Sequence, residues 1–537
     1  MARQSIIKSA LILTICGLVC KVLGALYRIP LTNILGGTGM GMYYLVFPVF
    51  SFMLSLSSAS LPGAISKLVA ESLSNNDKYS AKKYFKCSFV IFLLFGGFCT
   101  IFVMAIAPLL CRVQNNTSGI MSYIVIAPSI LIVCLVSCYR GYFQGYQNMT
   151  YSGVSQVIEQ TIKIGLGLIL TAKMAVYGVE YGVLGAIIAI TVSEVVALAY
   201  LFFSKILFER KNKKAGVIED CSDKKSKVIE NQKTNEKPNR YYYKSILKTS
   251  IPFTLGYVIF PLGALIDSVI VVPLLVRSGV TSEAAICVYG LNNAIVGTLT
   301  NLPIVVSTSL AMVILPSLSY AMKSCAYDSI TPKISFIYKV AINLVLPCGI
   351  VFAVFSKWVI SAIFGTMGSG VIDELSISSN MLIWSSIGVL YLTFFQISTA
   401  ILQAKGDYYK PVISLGIGVF IKVALSIVLL NFSSINFYAV NIASDVCYIV
   451  ICYINMHYLD KSFRVNISMK SFFLYPIISC TFMCIAIYLA GLGLAYILPS
   501  RLAYLFAFIV GGGVYLASGF LLKSFSKEEL GMMFGRR

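Results

Sequence analysis

The 537-residue chain is 58% hydrophobic and 12% charged, with a mean hydropathy of +0.85. A soluble protein carries about twice that charged fraction, so a soluble globular domain is excluded. The formal net charge of +21 raises nucleic acid as a partner, but the placement of the charges excludes it.

Apolar runs of about twenty residues recur along the chain, each long enough to cross a bilayer as a helix. Fourteen spans are expected, near 7–29, 41–70, 84–110, 119–140, 152–173, 181–205, 245–276, 284–318, 334–364, 376–402, 410–431, 436–457, 471–495 and 502–523. The alternation and aromatic girdles of an outer-membrane barrel are missing. The expectation is an all-α polytopic membrane protein. With a cytoplasmic N-terminus, 31 of the 42 Lys+Arg fall in inside segments and four in outside loops, namely Arg112, Lys173, Arg277 and Arg501. The positive-inside rule then predicts a multi-pass protein of the cell membrane with both termini cytoplasmic. Basicity here reports topology and attraction to anionic lipid.

The first span runs from Lys8 to Tyr27, with Lys21 inside it and Arg28 at its outer end. It is too long for a signal-peptide core and reads as retained. The Gly-rich stretch ILGGTGMG is expected to be an outer loop with tight turns. The second span carries Pro48 and Pro62-Gly63, which predict a bend, and Lys67 and Glu71 mark its cytoplasmic end. Residues 209–241 are rich in Lys, Asp, Glu and Asn, cannot build a core, and are expected to be a basic cytoplasmic linker.

The chain after the linker echoes the chain before it. SIIKSA at 5–10 resembles SILKTS at 245–250, and LGAL recurs at 23–26 and 262–265. Leu61-Pro62 has a counterpart in Leu315-Pro316, Gln144 in Gln403, and Lys163 in Lys422. Six spans per repeat start both copies on the same side, so the lobes are expected to be parallel repeats. The expected organisation is an N-lobe at 1–208, the linker at 209–241, a C-lobe at 242–458, and spans thirteen and fourteen with a C-terminal tail at 459–537.

Ionisable residues inside spans are costly and point to function. YRGYFQGYQNMTYSGVSQVIEQTIK at 139–163 crosses a polar turn and places Gln156, Glu159 and Lys163 on one helix face. Lys163 lies eleven residues into its span, roughly 16 Å deep. Glu159, one turn away, is its local counter-ion candidate, and an ion pair stapling the helix is the structural alternative. Lys422 has Gly418 four positions back, so it needs a partner from elsewhere. Lys21 and Arg28 are seven apart and form a cationic stripe. Arg28 and Asp267 correspond across the repeat, which makes them a candidate gate pair. A cavity lined by Lys21, Arg28, Lys163 and Lys422, with Glu159 and Asp267 as counter-ions, suits a pyrophosphate group. Glu194, Asp445 and Lys357 lie in or near spans and read equally as structural.

No phosphate-binding G-x-x-x-x-G-K-[ST] loop occurs, and the sole histidine, His457, lacks a nucleophile elbow. The fifteen cysteines are scattered through apolar spans without a metal-ligand set. No enzyme activity and no cofactor are expected.

LGALYRIPL at 23–31, YRGYFQGYQNM at 139–149, SQVIEQTIK at 155–163 and NLPIVVSTSLAMVILPSLSYA at 301–321 resemble the polysaccharide export branch of the multidrug/oligosaccharidyl-lipid/polysaccharide (MOP) flippase superfamily. The resemblance implies fourteen helices, two lobes around a central cavity, and alternating access. It implies as substrate an undecaprenyl-pyrophosphate-linked saccharide, of the lipid II class used for spore cortex peptidoglycan. Implied partners are that saccharide, membrane lipids and cell-wall synthesis proteins. Related flippases carry a first-span arginine after Leu-Gly; here Leu23-Gly24 with Arg28 matches, one residue later and with no acid following. Lys21 falls where relatives have a basic residue, and Lys163 where sporulation-branch relatives have arginine. Two rivals stay open: a cation-coupled drug exporter of the same superfamily, which calls for cavity carboxylates, and a non-transporting scaffold of cell-wall synthesis.

Overall fold

A computed structural model describes residues 2–58, 61–75, 77–214, 238–305, 330–365, 372–407, 409–432, 435–463 and 470–522. Leu315-Pro316 and the linker interior, 215–237, lie outside the described residues, as do most of 301–321 and the tail from 523.

The first helix, α1, runs Ala2–Ser57 with a reversal at Gly36, whose φ of 65° is open to glycine at little cost. After a break comes α2 (Leu61–Ser74), then α3 (Lys78–Val113), α4 (Ile120–Gly145), α5 (Met149–Ala175) and α6 (Val179–Lys214). Beyond the linker stand α7 (Asn239–Arg277) and α8 (Ser282–Leu291), which continues through a π-turn at Asn292–Val296. There follow α9 (Ile330–Val354), the short α10 (Ser356–Phe364), α11 (Glu374–Lys405), α12 (Tyr409–Leu429), α13 (Ala439–Phe463), α14 (Tyr475–Ala495) and α15 (Ser500–Leu521). Among the described residues ten helical segments are long and apolar enough to cross a membrane. The first of them, Ile15–Ser74, has 60 residues, about 90 Å if straight, which suffices for two crossings. The protein is a multi-pass α-helical membrane protein.

The chain forms two compact units, one of residues 1–27 and 45–269, the other of 28–44 and 270–537. In the first, glycines at helical spacing let backbones approach. A side chain at Gly141 would meet Pro62 and Ile65, and one at Gly145 would meet Val69, so α4 lies tight on α2. Tyr142 and Phe143, both fully buried, fill the space beside them with Phe85, Tyr139 and Tyr242. Lys205 Nζ sits 4.1 Å from the Phe85 ring centroid and 3.5 Å from Glu209, a cation–π contact at the end of α6.

In the second unit, the Gly-rich stretch is helical on either side of Gly36 rather than looped. Gly37 and Gly41 face α8 so closely that a side chain at Gly41 would strike the Ile286 carbonyl. Glu374 Oε1 accepts from the Gly37 N–H at 3.3 Å, placing a carboxylate at the start of that helix, where the dipole favours it. The same hydrogen-bonding economy ties α11, α12 and α13. The fully buried Asn455 accepts from Ser414 at 2.6 Å and donates to Ser398 and Thr399.

Candidate functional site

The polar face of α5 meets α4 at Arg140. The Gly141 and Gly145 contacts hold α4 in place, and Asn148 and the left-handed Gln147 (φ 59°) turn the chain back into α5. Ser152, Ser155 and Glu159 then recur at helical spacing on one side of α5. Arg140 Nη2 donates to Glu159 Oε2 at 2.8 Å, and Arg140 Nε donates to Ser155 Oγ at 2.9 Å. Ser152 Oγ donates to the Arg140 carbonyl at 3.2 Å. Both members of the ion pair are mostly buried, at 13% and 15% side-chain exposure.

Two further ionisable groups join them. Glu194 of α6 is 8% exposed, its Oε2 lacks a hydrogen-bond partner, and its carboxyl lies within reach of Glu159. Arg140 and Lys163 are its electrostatic neighbours. The half-buried Lys163 stands one turn beyond Glu159, with Nζ 5.9 Å from the Phe47 ring centroid. The cluster therefore holds two cations and two carboxyls within the first unit. An arginine and a lysine held this way present fork and point donors, the pair suited to phosphate oxygens.

Glu159 thus takes Arg140 as its ion-pair partner rather than serving Lys163 alone. Arg140, placed by sequence at the cytoplasmic end of a span, is the member of this buried cluster that reading missed. The Ser152, Ser155 and Glu159 stripe on α5 was the available signal. Gly24 of α1 lies beside Gln160, and Tyr27 packs on Gly167, so α1 runs along α5. The Lys21 side chain lies outside the described residues.

The other expected site residues lie on other elements. Arg28 belongs to the second unit, half-buried, its guanidinium 5.8 Å from the Tyr44 ring centroid. Asp267, half-buried on α7, belongs to the first. Lys422 is half-buried on α12, one turn beyond Gly418, which packs against Ile451 and Cys447 of α13. Elsewhere in the second unit, Asn441 donates to Asn292 Oδ1 at 2.8 Å and Ser385 Oγ at 2.7 Å. The Asp445 carboxylate lies against the backbone of Gly388, where a side chain would collide with it.

A multi-pass helical protein with ion-paired charges buried in its spans has the make-up of a membrane transporter. Its fold matches solved structures of that class. These include an inward-closed lipid II flippase MurJ (TM-score 0.68, 15% identity, 96% of this chain and 99% of that one) and an inward-facing MATE-family multidrug transporter of the MOP superfamily (TM-score 0.67, 18% identity, 82% and 94%). The profile of the polysaccharide biosynthesis protein family matches residues 6–322, and the chain belongs to that family. It is 26% identical to stage V sporulation protein B of Bacillus subtilis (strain 168) over 91% of this chain and 90% of that protein. It is 23% identical to the lipid II flippase MurJ of the same strain over 98% and 97%.

Proposed function

We propose that this protein is a flippase that carries an undecaprenyl-pyrophosphate-linked saccharide, of the lipid II class, across the cytoplasmic membrane for spore cortex peptidoglycan. The observation that carries the reading is the buried Arg140–Glu159 pair with Lys163 one turn away. Cations are retained inside a membrane span where an anion has to be received, and similarity to the two Bacillus subtilis proteins points to a lipid-linked saccharide. The pyrophosphate takes the Arg140 fork in place of Glu159, and Lys163 adds a second charge. Lys21, Arg28 and Lys422 supply further positive charge, and Asp267 a counter-ion, as the site is exposed alternately to the two faces. Both termini lie in the cytoplasm in this reading.

The test is transport of fluorescent lipid II in vesicles reconstituted with the purified protein. Headgroup label becomes accessible on the opposite face with wild type, and at least about tenfold more slowly with Arg140→Ala or Lys163→Ala. A non-transporting scaffold gives no label movement even with wild type.

A second reading, cation-coupled drug export, draws on the paired carboxyls of Glu159 and Glu194. It predicts efflux of a cationic dye driven by a proton or sodium gradient in the same vesicles, lost in Glu194→Gln, with no movement of lipid II.

A further inference from the structure

The second unit carries a recess of about 670 Å³ that the transport site does not use. Two helix starts share it. The first turn of α10 contributes Lys357, exposed, and the second turn of α11 contributes Ser379 and Asn380. The rest of the wall is apolar, and much of it faces outward: Ile383 is 40% exposed, Ile485 52% and Leu489 63%. One end of the recess is polar and cationic, and the remainder is an open hydrocarbon surface.

Three features mark the polar end as an anion seat. Phe355, at the N-cap of α10, supplies no side-chain oxygen to the helix start, so the first amides of that helix are offered to an external acceptor. Ser379 is 1% exposed, lines the recess, and its Oγ has no hydrogen-bond partner; a buried hydroxyl left this way costs stability unless a ligand satisfies it. Lys357 adds the charge. The far end of α10 is fixed by Arg501, which donates to the Ala362 and Ile363 carbonyls at 3.1 and 3.0 Å, so the helix start is held in one orientation.

Depth follows from the aromatic residues. Trp358 stacks on Tyr504 at 4.8 Å and on Tyr488 at 6.3 Å between ring centroids, and such clusters settle at the headgroup level of a bilayer. The seat is therefore at phosphate depth, with Leu489 level with it beside Tyr488 and Ile485 about a turn further along α14 toward the acyl chains.

We propose that this recess is a binding site for an anionic glycerophospholipid. Its phosphate is held by Lys357, the Ser379 hydroxyl and the start of α10, and one acyl chain lies over Ile383, Ile485 and Leu489. The class follows from the pairing of one cation with a hydrocarbon surface. A free phosphate has no use for the apolar wall, and a zwitterionic lipid brings its own cation.

The chain has two tryptophans, so Trp384→Phe leaves Trp358 as the sole tryptophan, beside the seat and selectively excited at the red edge of the absorption band. The full-length variant is reconstituted with phosphatidylglycerol, phosphatidylcholine or a polyprenyl pyrophosphate, each carrying a brominated quenching chain, in a phosphatidylcholine background. Brominated phosphatidylglycerol is expected to quench Trp358 with about fivefold higher relative affinity than brominated phosphatidylcholine, the effect of one Lys on an anionic lipid. The preference falls to near unity in Lys357→Gln and is reduced in Ser379→Ala. Equal quenching by the two phospholipids overturns the proposal, as does a preference that survives Lys357→Gln. Stronger quenching by the polyprenyl pyrophosphate assigns the recess to the transported substrate and overturns it as well.

Discussion

Arg140 and Glu159 join α4 to α5 through a 2.8 Å ion pair, with Ser155 bound to the same guanidinium at 2.9 Å. A guanidinium has five N–H donors, and these bonds use two. The arrangement keeps the charge tolerable in a span while leaving the fork able to engage a second anion. In the proposed mechanism, Glu159 is the group that an incoming phosphate displaces.

Removing one member of this pair strands the other. Arg140→Ala and Glu159→Gln are each expected to lower stability by about 3 kcal/mol or more, the cost of an uncompensated buried charge. The double change Arg140→Met with Glu159→Leu is expected to recover most of that loss while remaining inactive. Thermal unfolding in detergent reads the first effect, and lipid II flipping reads the second. A double variant as unstable as the sum of the single ones shows that the two residues do not act as a pair.

Lys163 separates charge from packing. Lys163→Arg is expected to retain transport, whereas Lys163→Met is expected to lose about tenfold to a hundredfold, the worth of one charged hydrogen bond. Membrane insertion is unchanged in both. Phe47→Leu removes the ring beneath Nζ and is expected to cost only about 0.5–2 kcal/mol of stability. Initial flipping rates at matched protein density check the series.

Much of the architecture was legible in one sequence, because each crossing needs its own apolar run. The polar face of α5 was legible too, since Gln156, Glu159 and Lys163 share a helical period. Arg140 was not. Its position at the end of an apolar run is the one expected of a cytoplasmic anchor. Its burial depends on the Gly141 and Gly145 contacts with α2 and on the turn that brings Ser155 and Glu159 to it. Gly37 and Gly41 were read as loop residues for the same reason: glycine serves a turn and a close helix contact equally, and only Gly36 makes the turn.

Asp407 offers a pH test outside the spans. It lies between Lys410 at 2.8 Å and Lys405 at 3.3 Å, just after the left-handed Gly406 that ends α11. The hydrogen bond from Lys410, aided by Lys405, holds the carboxyl below its usual range. A depressed folded value means stability present above the unfolded value and lost as pH falls through the folded one. Asp407→Asn is therefore expected to lower stability slightly at pH 7, by less than about 1 kcal/mol for a group with a third of its side chain in contact with solvent. The difference should shrink as pH falls below the usual carboxylate range and through the depressed folded value, where both states become protonated. A difference that stays unchanged across the acid titration assigns the effect to the turn and not to charge.

Gly388 and Asp445 make the sharpest structural prediction. α11 approaches α13 so closely at this point that any Cβ at 388 overlaps the Asp445 carboxylate. Gly388→Ala is therefore expected to cost about 1–3 kcal/mol, the usual penalty of overpacking a fitted contact. The clash is with a side chain, so it can be relieved from the other side. Asp445→Ala in the Gly388→Ala background is expected to restore the melting temperature, although Ala at 445 alone leaves a gap. A fully additive double variant shows that the two helices do not meet at these residues. Restored stability without restored transport assigns Asp445 a part in function beyond packing, and recovery of both makes the contact purely architectural.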